Sequence, residues 1–452
     1  MKVLMLGWEF PPFISGGLGT ACYGLTRAMS KLGTEVVFVL PKAVPAEYSS
    51  HVKIASPSKT VASRIAANEV FPESELENVI FRTVPSALQP YQRPENYQEV
   101  MTEMGLPAEP GFETFEITHQ QVTTQEVKQE NSNGGQVSGH YGGDLYSEVH
   151  RYARLATQIA RDEEFDVIHA HDWMTYPAGL AVAAMTGKPL VVHIHSTEFD
   201  RSGENVNQMI YDIERQGLHG ADKIIAVSCL TRDVVVARYG INAKKVSVVY
   251  NAIERNGSFV QGAKGGIAKD EKIVLFLGRI TMQKGPEYFI AAAKKVLEVM
   301  DNVKFVMAGS GDMVRRTIEL AAEMGIGHKV LFTGFLRGDD VDKVFRMADL
   351  FVMPSVSEPF GLVPLEALRN DVPVLISKQS GVSEILTHVL KVDFWDVNEM
   401  ANKIVAVLRH PPLHATLREH GNFEVRKLSW DDAAQRCVEV YESLFPSLAP
   451  TI

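Results

Sequence analysis

KIVLFLGRITMQKGPEYFIAAAKKVLEV, Lys272 to Val299, runs from a strand through a loop into a helix. Ile273 to Leu277 are all apolar, the pattern of a strand covered on both faces, and beyond Gly285 the apolar residues return at helical spacing. The same alternation extends in both directions. Downstream the strand candidates are VKFVMAG (303–309), KVLFTG (329–334), LFVMP (350–354), VPVLIS (372–377) and a weaker run near Val389. Upstream they are KVLMLG (2–7), EVVFVLP (35–41), NVIFRTV (78–84), DVIHAH (166–171), PLVVHIH (189–195), DKIIAVS (222–228) and VSVVY (246–250). Apolar runs separated by helical segments are the signature of parallel strands joined by crossover helices, so the fold class is α/β.

The two series are separated by NGSFVQGAKGGIAKDE, a Gly- and Lys-rich stretch without apolar periodicity, which sets a domain boundary near residue 255. Residues 1–254 and 255–428 are then two Rossmann-like domains with a cleft between them. Residues 429–452 supply a terminal helix, its start marked by Ser429 before Asp431 and Asp432. A Gln-, Glu- and Asn-rich segment from about 95 to 143 reads as an insertion in the first domain, either a solvated loop or a lid.

The chain of 452 residues carries a formal net charge of −10, which argues against nucleic acid or an anionic membrane as partner, since both are held through excess Lys and Arg. Any phosphate must be held by a local site. The cysteines at 22, 229 and 437 lack metal-ligand or redox spacing and suit buried apolar positions in a reducing compartment, so a cytoplasmic location is expected. The first strand is interrupted by Gly7, Glu9 and Pro11 before a secretory leader could form, and no integral membrane segment is expected.

Several strand ends carry chemistry. SGGLG (15–19) opens a helix, where glycine permits close backbone approach and the first-turn N–H groups attract an oxyanion. It is not the G-x-G-x-x-G fingerprint, and no acid ends the second strand, so a dinucleotide cofactor is disfavoured. HAHDW (169–173) and HIHS (193–196) each place two histidines on one face of a strand, which suits either the lining of a ligand crevice or a four-histidine metal site; the crevice is preferred. In the opening stretch, Arg279 and Lys284 stand in a strand-to-helix loop, either as surface cations or as partners of a diphosphate. AGSGD (308–312) is a tight turn or a second phosphate loop. SEPFGLVPLEAL (357–368) is the most specific element: one geometry that explains its spacing has backbone N–H groups near Gly361 and Leu362 facing a phosphate, Glu358 reaching a sugar and Glu366 ribose hydroxyls, and the alternative is a purely structural role for both acids.

With GWEFPPFISGGLG, HAHDW, VVHIHS, LGRITMQKG and SEPFGLVPLEAL in this order, the chain resembles the retaining glycosyltransferases of families four and five, the group of glycogen and starch synthases. The resemblance implies the two-domain GT-B fold and transfer of a hexose, glucose foremost, from UDP-glucose, ADP-glucose or a related donor to an acceptor hydroxyl. It places Gly17 and Leu18 at the donor phosphate and Asp172 and His195 beside the sugar. Arg279 and Lys284 would bind the diphosphate, Glu358 the hexose and Glu366 the ribose, with the nucleobase near Gly334, Phe335 and Leu336. The last helix would cross back to the first domain. No cofactor and no metal are expected, because two cations replace the acidic D-x-D loop that would carry one. Ile14 stands where synthases using ADP-glucose carry lysine, and Ala252 and Glu254 depart from N-G-[IV]-D. An α-glucan acceptor leads; a small sugar or envelope glycan, a nucleotide-sugar epimerase and a non-catalytic sensor are the alternatives. Asp172 and Glu358 lie in different domains, which disfavours a double displacement through a carboxylate nucleophile.

Overall fold

The computed structural model describes residues 1–10, 16–40, 78–83, 143–253 and 271–445. The expected insertion, up to 142, and the interdomain connection, from 254 to 270, fall outside them, as do Ile14 and Glu254. Each apolar run named above forms a strand: β1 (Lys2–Leu6), β2 (Glu35–Leu40), β3 (Val79–Thr83), β4 (Val167–His171), β5 (Leu190–Ile194), β6 (Lys223–Ala226) and β7 (Val246–Val248), then β8 (Lys272–Leu277), β9 (Val303–Ala308), β10 (Val330–Gly334), β11 (Leu350–Met353), β12 (Val374–Ser377) and β13 (Leu390–Val392).

They assemble into two parallel sheets, in the orders β3-β2-β1-β4-β5-β6-β7 and β10-β9-β8-β11-β12-β13. Val3 to Leu6, Val167 to His171 and Leu190 to Ile194 are all buried, as strands sandwiched between helices require. Both sheets are wound the same way. The chain moves outward from β1 to one edge and then returns to pair β4 on the other side of β1; β8 and β11 repeat the manoeuvre. At such a switch point the loops leaving the two central strands diverge and open a crevice at their carboxyl ends. The residues after β1 and β4, and those after β8 and β11, therefore have first claim on a ligand.

The terminal helix Trp430–Glu442 belongs to the core of the first sheet's domain. Trp430, Ala434, Cys437 and Tyr441 are buried against Ala21, Leu25 and Ala28 of the helix Gly17–Lys31. Ser429 caps it, accepting the Asp431 N–H at 3.1 Å. Its closest approach is at Gly24, where even a methyl group would stand inside the Trp430 indole. Gly24→Ala is thus expected to cost about 1 to 3 kcal/mol by overpacking, read as a lower urea midpoint. An unchanged midpoint would mean that the two helices do not pack this closely.

Candidate active site

The loop after β8 is shaped by Gly285, in the left-handed region at φ +66, with its Cα pressed on the Pro354 carbonyl at the end of β11, where a side chain would collide. This contact brings together two loops far apart in sequence. Lys284 Nζ forms an ion pair with Glu358 Oε2, which also accepts the Ser355 hydroxyl at 3.2 Å. Arg279 lies on the same loop and donates to Gln283 Oε1 at 3.4 Å, while the Gln283 carbonyl accepts the Val356 N–H at 2.9 Å. Both cations and Glu358 are thus fixed at the carboxyl ends of the switch strands. AGSGD acts here as a buttress: its Ser310 carbonyl accepts the Ile280 N–H of the Arg279 loop at 2.8 Å, and the Ile280 carbonyl accepts the Met313 N–H at 3.0 Å.

Across the cleft, the helix Gly17–Lys31 begins directly after Gly16. Gly17 is exposed, with open space around its Cα, whereas Leu18 packs into the core. Glu9, buried, accepts the Gly19 N–H at 3.0 Å and fills the space beside Gly16. Burial raises its carboxyl to about 7, opposed by that hydrogen bond and by the Arg279 cation of the facing domain. One donor of the glycine turn is therefore already satisfied from within the chain, and the exposed Gly17 remains to meet an anion.

Asp172 adopts φ +57, unusual for a residue with a side chain, and the strain is held by pairing on both sides. Its N–H donates to the His193 carbonyl at 3.0 Å, and its Oδ1 accepts the His195 N–H at 2.7 Å and the Ser196 N–H at 3.4 Å. Burial pushes the carboxyl up to about 7, against these bonds and the Arg201 cation. The carboxylate is turned to the backbone of the next strand end, so it sets the position of His195. Arg201 continues the network to Glu198 at 3.1 Å, to Glu214 and to the Ser196 carbonyl at 3.0 Å.

His169, His171, His193 and His195 form one stack behind this surface. His169 and His171 share a face of β4, with ring centroids 4.3 Å apart, and those of His193, in β5, and His195, just beyond it, are 4.2 Å apart. Parallel pairing places His171 beside His193. Desolvation holds His169 and His195 down to about 3, and His171 and His193 also well below the usual range. Among the described residues, His169, His171 and His193 alone bring three possible metal-ligand atoms within 4.8 Å of one another. Their planes, however, lie within 16° to 29° of parallel, so the in-plane lone pairs run side by side, whereas zinc needs each nitrogen at about 2.0–2.1 Å on converging lines.

Both His193 nitrogens are buried without a hydrogen-bond partner among the described residues. Replacing an unpaired polar group by an apolar one of similar size is nearly neutral or stabilising. His193→Leu should leave stability at pH 7 unchanged or raise it by about 1 kcal/mol. As pH falls below about 6.5 the unfolded chain takes a proton that folded His193 refuses, so the wild type loses stability that the variant keeps. The gap should widen by about 1.4 kcal/mol per pH unit. Urea titrations at pH 7 and 5.5 read both quantities; marked destabilisation at pH 7 would instead assign His193 an unseen ligand.

The remaining sequence candidates are spread along the second domain. Gly361, at φ +104, is buried against the Glu358 side chain, and Leu362 packs against apolar residues of both domains. Glu366 is half-buried on the helix Val363–Arg369, with burial raising its carboxyl against the nearby Arg369 cation. Gly334 ends β10 at φ +73; beyond it Phe335 is 54% exposed, with the Arg337 guanidinium 5.2 Å from its ring, and Leu336 turns into the core. Such an exposed ring suits a flat ligand.

Sequence reasoning gave no role to Glu9, Ser355, Gln283 or the bridges that close the cleft. Ser357 donates to Asp200 at 2.5 Å, Ser228 donates to the Pro359 carbonyl at 2.6 Å, and Glu384 accepts the Cys229 and Leu230 N–H groups at the start of the helix Cys229–Tyr239. Glu9 lies inside the GWEFPP motif, the one local signal among these.

The family model described as "Glycosyl transferases group 1" matches residues 260–422, and "Glycosyltransferase Family 4" matches 120–256. An uncharacterized glycosyltransferase of Methanocaldococcus jannaschii is 30% identical over 98% of both chains. A D-inositol 3-phosphate glycosyltransferase of Catenulispora acidiphila is 29% identical over 62% of this chain and 72% of its own. A glycogen synthase of Mycobacterium tuberculosis is 24% identical over 85% and 80%. Among solved structures, sucrose-phosphate synthase from Thermosynechococcus elongatus superposes with a TM-score of 0.68 at 19% identity, over 98% of this chain and 99% of that one. HepE of Anabaena, in complex with UDP and glucose, gives 0.63 at 18% identity over 98% and 100%.

Proposed function

The chain belongs to the GT-B glycosyltransferases of the family four and family five group, and on that premise we propose that it is a retaining hexosyltransferase moving glucose from a nucleoside diphosphate to an α-glucan hydroxyl. The observation that carries this reading is the pairing of Lys284, on the same loop as Arg279, with Glu358 at the switch point of one domain, with Arg279 near enough to act on Glu9, which holds the glycine turn of the other. The two cations and the helix N-termini would bind the donor diphosphate, and Glu358 would bind the hexose.

In the reaction the acceptor oxygen attacks the anomeric carbon on the face that the diphosphate is leaving. The bond between that carbon and the phosphate oxygen breaks with little prior bond making, and the departing oxygen takes the acceptor's proton. The products are the new glycoside, with its configuration kept, and the nucleoside diphosphate. The protein's task is charge stabilisation and positioning, for which Arg279 and Lys284 are pre-set. A closed cleft limits hydrolysis of the donor.

A small phosphorylated acceptor is the second reading, supported by the relative named as an inositol phosphate glycosyltransferase. Incubation with UDP-, ADP- and GDP-glucose, each with α-glucan oligomers, inositol phosphate or neither, separates the two by following release of the nucleoside diphosphate and the identity of the sugar left on the donor. Release stimulated by glucan supports the proposal; release stimulated only by inositol phosphate moves the acceptor to the second reading. Isomerised donor without transfer would make the chain an epimerase. Among the described residues no helix is long and apolar enough to cross a membrane.

A further inference from the structure

We infer that His171, a residue outside the contact surface, fixes the tautomer of His195 so that His195 presents an N–H donor to the cleft. The inference rests on the proposed sugar-binding role of His195 for its consequence, but not for its geometry. His171 Nδ1 stands 2.9 Å from His195 Nε2, and these two nitrogens share one proton. His171 Nε2 is buried and has no partner among the described residues. His195 is half-buried; its Nε2 is occupied by His171, and its Nδ1 is not among the buried nitrogens lacking a partner, which leaves it as the open one.

A neutral imidazole carries one N–H and one bare nitrogen. If His171 held its proton on Nε2, that N–H would be a buried donor with no acceptor. If the proton is on Nδ1, the hydrogen bond is made and only a lone pair is left unpaired. Orphaned buried N–H groups are the rarer of the two, so the proton belongs on Nδ1. His171 then donates to His195 Nε2, and His195, also neutral, must carry its own proton on Nδ1. The rest of the stack locks this arrangement: His193 lies 4.2 Å from the His195 ring, His169 lies 4.3 Å from the His171 ring, and the Asp172 carboxylate grips the His195 backbone. The open nitrogen is therefore a donor, suited to a hexose hydroxyl or ring-substituent oxygen and unsuited to accepting a proton from the acceptor. His171 is a positioning residue for this contact.

Long-range proton–nitrogen correlation spectra of the full chain, labelled with nitrogen-15 at histidine, read the tautomers without any need for activity. His195 is expected in the Nδ1–H form at pH 7. An Nε2–H form would overturn the inference whatever the enzyme's substrate proves to be. Two variants extend the test. In His171→Asn the amide can stand near the Nδ1 position and keep the donor, whereas His171→Phe retains ring volume and removes it. The asparagine variant should hold His195 in the Nδ1–H form with turnover within about threefold of wild type. The phenylalanine variant should give a mixed tautomer and lose about tenfold in turnover, the worth of one hydrogen bond. Equal losses in both variants with the His195 tautomer unchanged would show His171 to be structural only. An Nδ1–H tautomer with no transferase activity on any donor would leave the inference standing and remove the proposed function.

Discussion

Arg279→Ala and Lys284→Ala are each expected to slow sugar transfer by about 10² to 10³, with the double variant less impaired than the product of the two. Both side chains stand in the loop after β8, Lys284 paired with Glu358 and Arg279 donating to Gln283, and in the proposed reaction both meet charge that grows as the diphosphate departs. A charge-assisted contact is worth about 1.5 to 3 kcal/mol, and a group aimed at developing charge contributes about 3 to 4. The sub-multiplicative double variant follows because both cations would grip one leaving group, and residues that share a task are not additive. Steady-state kcat and diphosphate affinity, measured on all three variants, decide it. Strictly multiplicative losses would mean that the two cations act on separate groups.

Glu358→Gln should depress turnover by about 10² while binding of the nucleoside diphosphate stays equal or becomes up to about tenfold tighter. Glu358 has two demands on one carboxylate. It pairs with Lys284, with Ser355 donating to the same oxygen, and in the proposed reaction it would bind the hexose. A bound diphosphate must draw Lys284 away from it, which costs affinity and frees the carboxylate for the sugar. The amide keeps the hydrogen bonds and removes the competing charge, so the two parameters should move in opposite directions. Calorimetric titration with UDP beside kinetic measurement separates them. Weaker UDP binding with normal turnover would contradict this assignment.

How much of this was legible in the sequence follows from where the information lies. A strand buried on both faces needs a continuous apolar run, so β1 to β13 could each be read locally, and parallel order follows from the helices between them. The candidate site motifs were legible because they fall at the ends of β1, β4, β5, β8 and β11, beside strand signals that locate them. Contacts set by tertiary register were not. Lys284 and Glu358 are 74 residues apart and meet only because Gly285 rests on Pro354. HAHDW and HIHS each announced a pair of histidines on one face, but the pairing of His171 with His193 that fuses them into one stack is a property of the sheet. Nothing local to Gly24 signals that Trp430 lies on it, and Glu9 carries no readable signal of its partner because an acid in a glycine-rich turn has no fixed spacing to what it will bind.

In the proposed reaction protein cations, and no metal ion, would carry the leaving diphosphate. Transfer measured on the best donor and acceptor pair, before and after exhaustive treatment with EDTA, tests it directly. The rate should be unchanged, and neither magnesium nor manganese should raise it. Loss of transfer with EDTA and its return with either ion would contradict the claim and turn attention to the nitrogens of His169, His171 and His193 as ligands.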